Sequence, residues 1–240
     1  MKRFIAIICA LLAAGLLPLM AQQKGPSIEF DSVNRVVSKV TDGEIITQVF
    51  KFTNKGDAQL EILAVEPTCG CTTALPVPNK LAPGQTGQIE VKITTTGLAA
   101  QLTTVTESVP MSKTIIVKTN DAKQPQVVLT VNSNISQEIA ISEPSVYFGS
   151  NPRGQAVTKE LFVEIAPDKP IKLLGAISTD ENVTVKLEPV AGSNAKKFKL
   201  IAVQKPMAVE GYHLGEIRIT TSSQLKPEIK IPVRGLVKGS

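Results

Sequence analysis

Along most of the chain apolar and polar residues alternate with a period of two, as an extended backbone demands when successive side chains point to opposite faces. Ile89, Val91 and Ile93 alternate with Gln88, Glu90, Lys92 and Thr94, which predicts a strand with one buried and one wet face. Val127, Leu129 and Val131 follow the same rule, as do Val183, Val185 and Leu187. Asn54-Lys55-Gly56-Asp57 and Ala82-Pro83-Gly84-Gln85 supply turns between such runs. Past the N-terminus no stretch sustains a helical period, and only Leu98 to Leu102 offers a helical turn. Many short strands punctuated in this way predict an all-β sandwich architecture.

The pattern repeats. Ile115, Val117, Thr119, Pro125, Val127, Leu129 and Val131 recur as Ile217, Ile219, Thr221, Pro227, Ile229, Ile231 and Val233 at an offset of 102, which predicts two tandem sandwiches. Ser27-Ile28-Glu29-Phe30 is echoed by Ser145-Val146-Tyr147-Phe148 at an offset of 118, so the first copy is expected to carry extra residues. They fall either in the Pro-rich loop with Pro76, Pro78 and Pro83 or in the Thr-rich stretch from Thr94 to Met111, as an extended hairpin or a mobile loop. The boundary is expected near Ser136 to Ile141, with a linker short enough to set the two units end to end while still allowing them to bend.

Ahead of this pattern, Lys2 and Arg3 precede an apolar run from Phe4 to Met20, and Ala21 provides the small residue before a cleavage point at Gln22. That arrangement predicts a secretory signal over residues 1–21, with Cys9 leaving alongside it. Units of 22–136 and 137–240 then remain, exported to the periplasm or beyond the cell, with no membrane span. Loss of Lys2 and Arg3 lowers the formal charge from +5 to +3. The cations are dispersed, Trp is absent and only two Tyr occur, which argues against nucleic-acid binding and stacked carbohydrate recognition.

Cys69-Gly70-Cys71 holds the two cysteines that survive processing, with Gly70 and Thr72 expected to support the loop. Residues two apart on an extended segment face the same way, and Gly70 is expected to let the backbone bend until the sulfurs meet. An exported pair this close has three options: a disulfide, a soft-metal site such as copper(I), or a reactive dithiol. A ring this small removes only about 1.5 kcal/mol of unfolded-chain entropy, so its use is to shape the loop rather than to staple the fold. Two thiolates are half a tetrahedral site, and the other ligand types nearby in kind are His213, Met111 and Met207. His213 fits a packed or surface histidine better than a catalyst, since no nucleophile-elbow motif accompanies it. The carboxylates show no spacing that singles out an acid–base pair, and two glycosylation-type triplets, at Asn134 and Asn182, are explicable by chance.

Phe50-Lys51-Phe52-Thr53-Asn54-Lys55-Gly56-Asp57, Leu60-Glu61-Ile62, Cys69-Gly70-Cys71-Thr72, Leu81-Ala82-Pro83-Gly84 and Thr119-Asn120-Asp121 form an ordered motif set. It resembles a bacterial domain-of-unknown-function family of exported immunoglobulin-like proteins with a Cys-Gly-Cys loop, akin to major-sperm-protein, abnormal-spindle and hydin-type modules. The resemblance covers roughly residues 28 to 133; the second half fits only the fold, with Ile177-Ser178-Thr179-Asp180 where the cysteines would be. It implies an exported, non-enzymatic β-sandwich without cofactor. The expected whole is thus two tandem immunoglobulin-like domains serving as an interaction or scaffold module for an unidentified protein of the cell envelope. The alternatives are a periplasmic chaperone that binds client strands at a sheet edge, and thiol-redox or soft-metal handling through Cys69 and Cys71.

Overall fold

The computed structural model describes residues 25–207 and 209–239, and among them there is no α-helix. The signal segment and Cys9 lie outside the described residues. The chain runs through β1 (Ile28–Phe30), β2 (Asn34–Val36), β3 (Val40–Thr41), β4 (Ile45–Asn54), β5 (Leu60–Pro67), β6 (Thr72–Val77), β7 (Lys80–Leu81), β8 (Thr86–Thr94), β9 (Ser108–Thr119) and β10 (Gln126–Ser136). It continues with β11 (Ile139–Ile141), β12 (Val146–Pro152), β13 (Val157–Ile165), β14 (Leu173–Ser178), β15 (Val183–Pro189), β16 (Lys197–Gln204), β17 (Gly211–Thr221) and β18 (Glu228–Lys238). One sheet has the order β1-β4-β8-β6 and faces a second, β2-β10-β9-β5-β7, with β3 also paired to β10. Beyond Ser136 the same plan recurs as β11-β13-β16-β15 against β12-β18-β17-β14. These are two immunoglobulin-like sandwiches.

The alternation read from the sequence supplies each core. In β8 Ile89, Val91 and Ile93 are buried against Phe50, Phe52 and Leu129, while in the second unit Val163, Leu200, Ile217, Ile231 and Val233 do the same. The motif polar residues are anchors of the fold. Asn54 is fully buried; its Nδ2 donates to the Ala58 and Leu81 carbonyls, and its Oδ1 accepts from the Ser27 and Gly56 amides. Asp121 accepts from the amides of Ile28, Lys123 and Gln124, satisfying backbone donors that burial would otherwise leave unpaired.

Strand register aligns the two copies residue by residue. Phe30 opposite Phe52 corresponds to Ile141 opposite Val163, and Ile46 opposite Ile93 to Val157 opposite Gln204, an offset of 111. Met111 opposite Ser133 corresponds to His213 opposite Gly235, an offset of 102. The 118-residue echo is therefore corrected: Ser27-Ile28-Glu29-Phe30 lies on β1, antiparallel to β4, whereas Val146 and Tyr147 lie on β12, parallel to β18, whose counterpart is β2. The first copy's nine extra residues, the difference between 111 and 102, all enter between Ile93 and Met111. The Pro-rich loop contributes none of them, and Pro76 is part of edge strand β6.

The insertion is not an extended hairpin. It turns through Leu98–Thr95, Ala100–Gly97 and Leu102–Ala99 backbone hydrogen bonds, a run of separate turns where a helical turn was expected, and packs where the two sandwiches meet. Ala99 is fully buried, and Val105 clusters with Ala140 and Ala166 of the second unit. The linker pair Gln137 and Glu138 is buried as well: Gln137 Nε2 donates to the Ala99 carbonyl and Ser223 Oγ donates to Glu138. Lys226 Nζ donates to Gln137 Oε1 at 3.0 Å and lies 3.8 Å from Asp42 Oδ2. Lys169 Nζ reaches Thr41 Oγ1 at 3.2 Å.

Candidate functional site

Cys69, Gly70 and Cys71 make the tight connection by which the chain leaves β5 in one sheet and enters β6 in the other. Both cysteines are half-buried. Their sulfurs are in contact and their Cα atoms are 5.4 Å apart, a spacing that suits a disulfide. Thr72 holds the loop from beneath. Its hydroxyl lies 3.2 Å from Cys69 Sγ, and its amide donates to the Cys69 carbonyl. The Cys71 carbonyl accepts from the Thr94 amide at 2.9 Å, so the loop is tied to the last residue of β8; Asn182 and Lys205 make the same bond in the second copy. Gly70 has no left-handed φ, and a Cβ added to it would meet nothing. The bend expected of Gly70 therefore does not draw on glycine's special freedom.

The corresponding turn of the second sandwich is built differently. Thr68 donates its amide to the Thr114 carbonyl, and Thr179 donates its amide to the Glu216 carbonyl; the next residue is Cys69 in one case and Asp180 in the other. Asp180 folds inward and its Oδ2 lies 2.8 Å from His213 Nδ1, with both side chains 6% exposed. A carboxylate can only accept, so Nδ1 carries the proton. His213 Nε2 is buried and finds no partner among the described residues; it lies over Gly235, where a Cβ would come within 1.9 Å of it. The sequence read His213 as either packed or at the surface, and the structure buries it; the carboxylate that holds it was not foreseen.

The candidate metal ligands are dispersed. Met111 occupies on β9 the position that His213 occupies on β17, and Met207 accepts a long 3.9 Å contact from Gln204 Nε2 in the second sandwich. Among the described residues no group of three or more His, Cys, Asp or Glu could hold a metal ion. A cleft of about 240 Å³ opens beside Met111, lined by Leu98, Val109 and Ile135 with Lys113 as its titratable side chain. No helix among the described residues is long and apolar enough to cross a membrane. The residues missed from the sequence are those of the junction: Asp42, Gln137, Glu138 and Lys226 carry no signal in the strand alternation, because only the assembled interface covers them.

Residues 28–135 match the family described as "Protein of unknown function (DUF1573)". The resemblance drawn from the ordered motifs is to this family, over nearly the same span. Comparison with curated protein sequences gives no match. Among solved structures, the chain is similar to a protein of unknown function from Porphyromonas gingivalis W83, at 8% identity over 87% of this chain and 99% of the other, with a TM-score of 0.34. It is also similar to the ASH/PapD-like domain 7 of human CEP192, at 12% identity over 53% of this chain and 98% of that domain, with a TM-score of 0.35.

Proposed function

We propose that this chain is an exported, non-enzymatic scaffold whose two domains, 22–136 and 137–240, are held at a fixed relation and present their outer surfaces to a protein of the cell envelope. The observation that carries this reading is the junction. Buried polar residues that are mutually hydrogen-bonded are costly to separate, and here Gln137, Glu138 and Lys226 are paired with groups from both sandwiches and with the first copy's own insertion. A freely hinged pair would have an exposed linker instead. Cleavage after Ala21 would deliver the mature chain to the periplasm or the medium, where Cys69 and Cys71 would close as a disulfide that shapes the β5–β6 crossing.

The test is NMR relaxation of the mature protein, because a rigid rod gives one rotational correlation time for amides of both sandwiches. Two distinct shorter times would sink the scaffold reading. Intact mass after alkylation, with and without reduction, reads the signal cleavage and the cysteine state in the same sample. Two freely alkylated thiols would favour the dithiol alternative, for which Thr72 Oγ1 near Cys69 Sγ offers a hydrogen bond to a thiolate.

The chaperone alternative has an observation of its own. Edge strand β14 carries Leu174 and Ile177 exposed, whereas edge strand β6 is blunted by Pro76. A client strand added to β14 would protect the outward amides of Leu173–Ser178 from hydrogen exchange, and their unchanged exchange in the presence of client would dismiss it.

A further inference from the structure

We propose that the outer face of the β12-β18-β17-β14 sheet docks an acidic partner segment, one that presents carboxylates beside apolar side chains. Register defines the face. Val146 opposite Val233 points into the core, so Tyr147 opposite Arg234 points out, and Arg234 has Leu214 as its neighbour on the other side. One row along, Leu236 is opposite Tyr212. Tyr147, Leu214 and Tyr212 are 61%, 72% and 81% exposed. Cross-strand neighbours at this spacing form one continuous surface, here at the end of the second sandwich remote from the junction. Apolar and aromatic residues occupy the phase of β17 that alternation reserves for polar ones.

Charge decides the occupant. On this face Arg218 is engaged by Glu216 at 3.2 Å and Glu228 at 3.6 Å. Arg234, Lys230 and Lys238 share its phase along β18 and enter no ion pair among the described residues. The uncompensated charge is therefore positive, and near the tyrosines it is carried by Arg234, opposite Tyr147, and by Lys238, two residues beyond the Leu236 that faces Tyr212. A guanidinium flanked by aromatic and aliphatic surface suits a carboxylate with an apolar neighbour, and Tyr and Arg are the side chains that most often concentrate binding energy. The equivalent positions of the first sandwich are Val36 for Tyr147, Asn132 for Arg234, Ser112 for Leu214 and Asn134 for Leu236. That face carries no aromatic side chain and no charge at these positions, so the property belongs to the second copy and not to the shared frame.

This inference rests on the scaffold reading, yet it can fail while the two sandwiches still tumble as one body. The chain contains no Trp, and Tyr147 and Tyr212 are its two tyrosines, so its intrinsic fluorescence reports from this face. The mature protein is titrated with the peptide acetyl-Phe-Asp-Leu-Glu-Phe-Asp-amide and, in parallel, with its counterpart carrying Lys at the acidic positions. A saturable change in tyrosine emission with the acidic peptide is expected, absent with the Lys peptide and at least tenfold weaker in Arg234→Glu and in Tyr212→Ser. Absence of a saturable change, an equal response to both peptides, or indifference to Arg234→Glu would overturn the proposal. So would self-association that Tyr212→Ser abolishes in sedimentation velocity, which would make the occupant a second copy. Binding to phosphatidylglycerol vesicles in place of the peptide would make it a lipid surface and overturn it equally.

Discussion

The sheet-crossing turn of the first sandwich and that of the second occupy the same place in one frame, yet one is chemically soft and the other is polar and packed. Cys69, Met111, Lys113 and Ser133 stand where the second copy has Asp180, His213, Gly215 and Gly235. In the second copy the turn residue reaches into the core because two glycines make room. A Cβ on Gly215 would lie 2.8 Å from the Asp180 Cβ, and one on Gly235 would lie 1.9 Å from His213 Nε2. In the first copy Lys113 and Ser133 carry side chains at those positions, so nothing equivalent to the Asp180–His213 pair can be seated. The turn residue pairs instead with its own neighbour, Cys71. A buried carboxylate–imidazole hydrogen bond in this frame is thus a four-residue device, whereas the cysteine pair is local and needs no accommodation from the opposite strand.

The largest effect is expected from removing the room. Gly235→Ala should destabilise the second sandwich by about 3 kcal/mol, since the clash involves a buried ring whose Nδ1 is tied to Asp180. Urea unfolding of residues 22–240, followed by amide signals of each core, reads the loss separately in the two halves. The decisive comparison is the double mutant: Gly235→Ala combined with His213→Ala should cost clearly less than the sum of the two single changes. Additive losses would mean that Gly235 is not there for the imidazole.

Next in size is the pair itself. Asp180→Ala strands a buried imidazole and deprives the Asn182 amide of its acceptor, which should cost roughly 2–3 kcal/mol. Met111→Leu at the matching site of the first sandwich is a volume-conserving exchange and should cost under about 1.5 kcal/mol. Equal effects would erase the distinction between the two ends.

How far these ends were legible beforehand follows from the same residues. Alternation located the strands because period two is imposed locally by the backbone, and the repeat of Ile115 and Val117 as Ile217 and Ile219 placed the matching sheets correctly. The similarity of Ser27-Ile28-Glu29-Phe30 to Ser145-Val146-Tyr147-Phe148 misled, because four residues of strand-like composition do not specify which sheet they join; only pairing does. The cysteine loop was visible as a motif, with Gly70 and Thr72 read as its supports. Asp180 could not be connected to His213 from the sequence, since 33 residues and two strands separate them and neither flanking glycine sits in a turn. The junction was equally hidden. Asp42 and Lys226 lie on loops, where polar residues ordinarily meet water, and they are covered only when both units are complete.

A smaller effect is expected at the first sandwich's own turn. Replacing Cys69 and Cys71 by Ser should cost no more than about 1.5 kcal/mol, the loop-closure value of so short a ring, with the loss confined to the first core. Gly70→Ala is its control: the added methyl meets open space, so the change in stability should stay within about 0.5 kcal/mol. A large loss from Gly70→Ala would show that the loop depends on glycine after all and that its crossing is less local than its contacts imply.

The smallest effect concerns what covers this turn's end of the first sandwich and leaves the second's open. Lys226 approaches Asp42 from the second unit, and burial holds its ammonium below the ordinary 10.5 while Asp42 and Glu138 pull the other way. The unfolded chain therefore keeps that proton to higher pH than the folded one. Between the depressed value and 10.5 the unfolded state binds more protons, so this residue makes stability rise with pH there and adds a constant penalty below it. Lys226→Met should remove that contribution. Urea midpoints of both proteins at several pH values from 8 to 10.5 should diverge, with the variant losing ground to the parent as pH rises, while every other lysine titrates alike in the two. Parallel curves would mean that Lys226 is solvated in the native junction, and the closed end of the first sandwich would then be as open to water as the Asp180 end of the second.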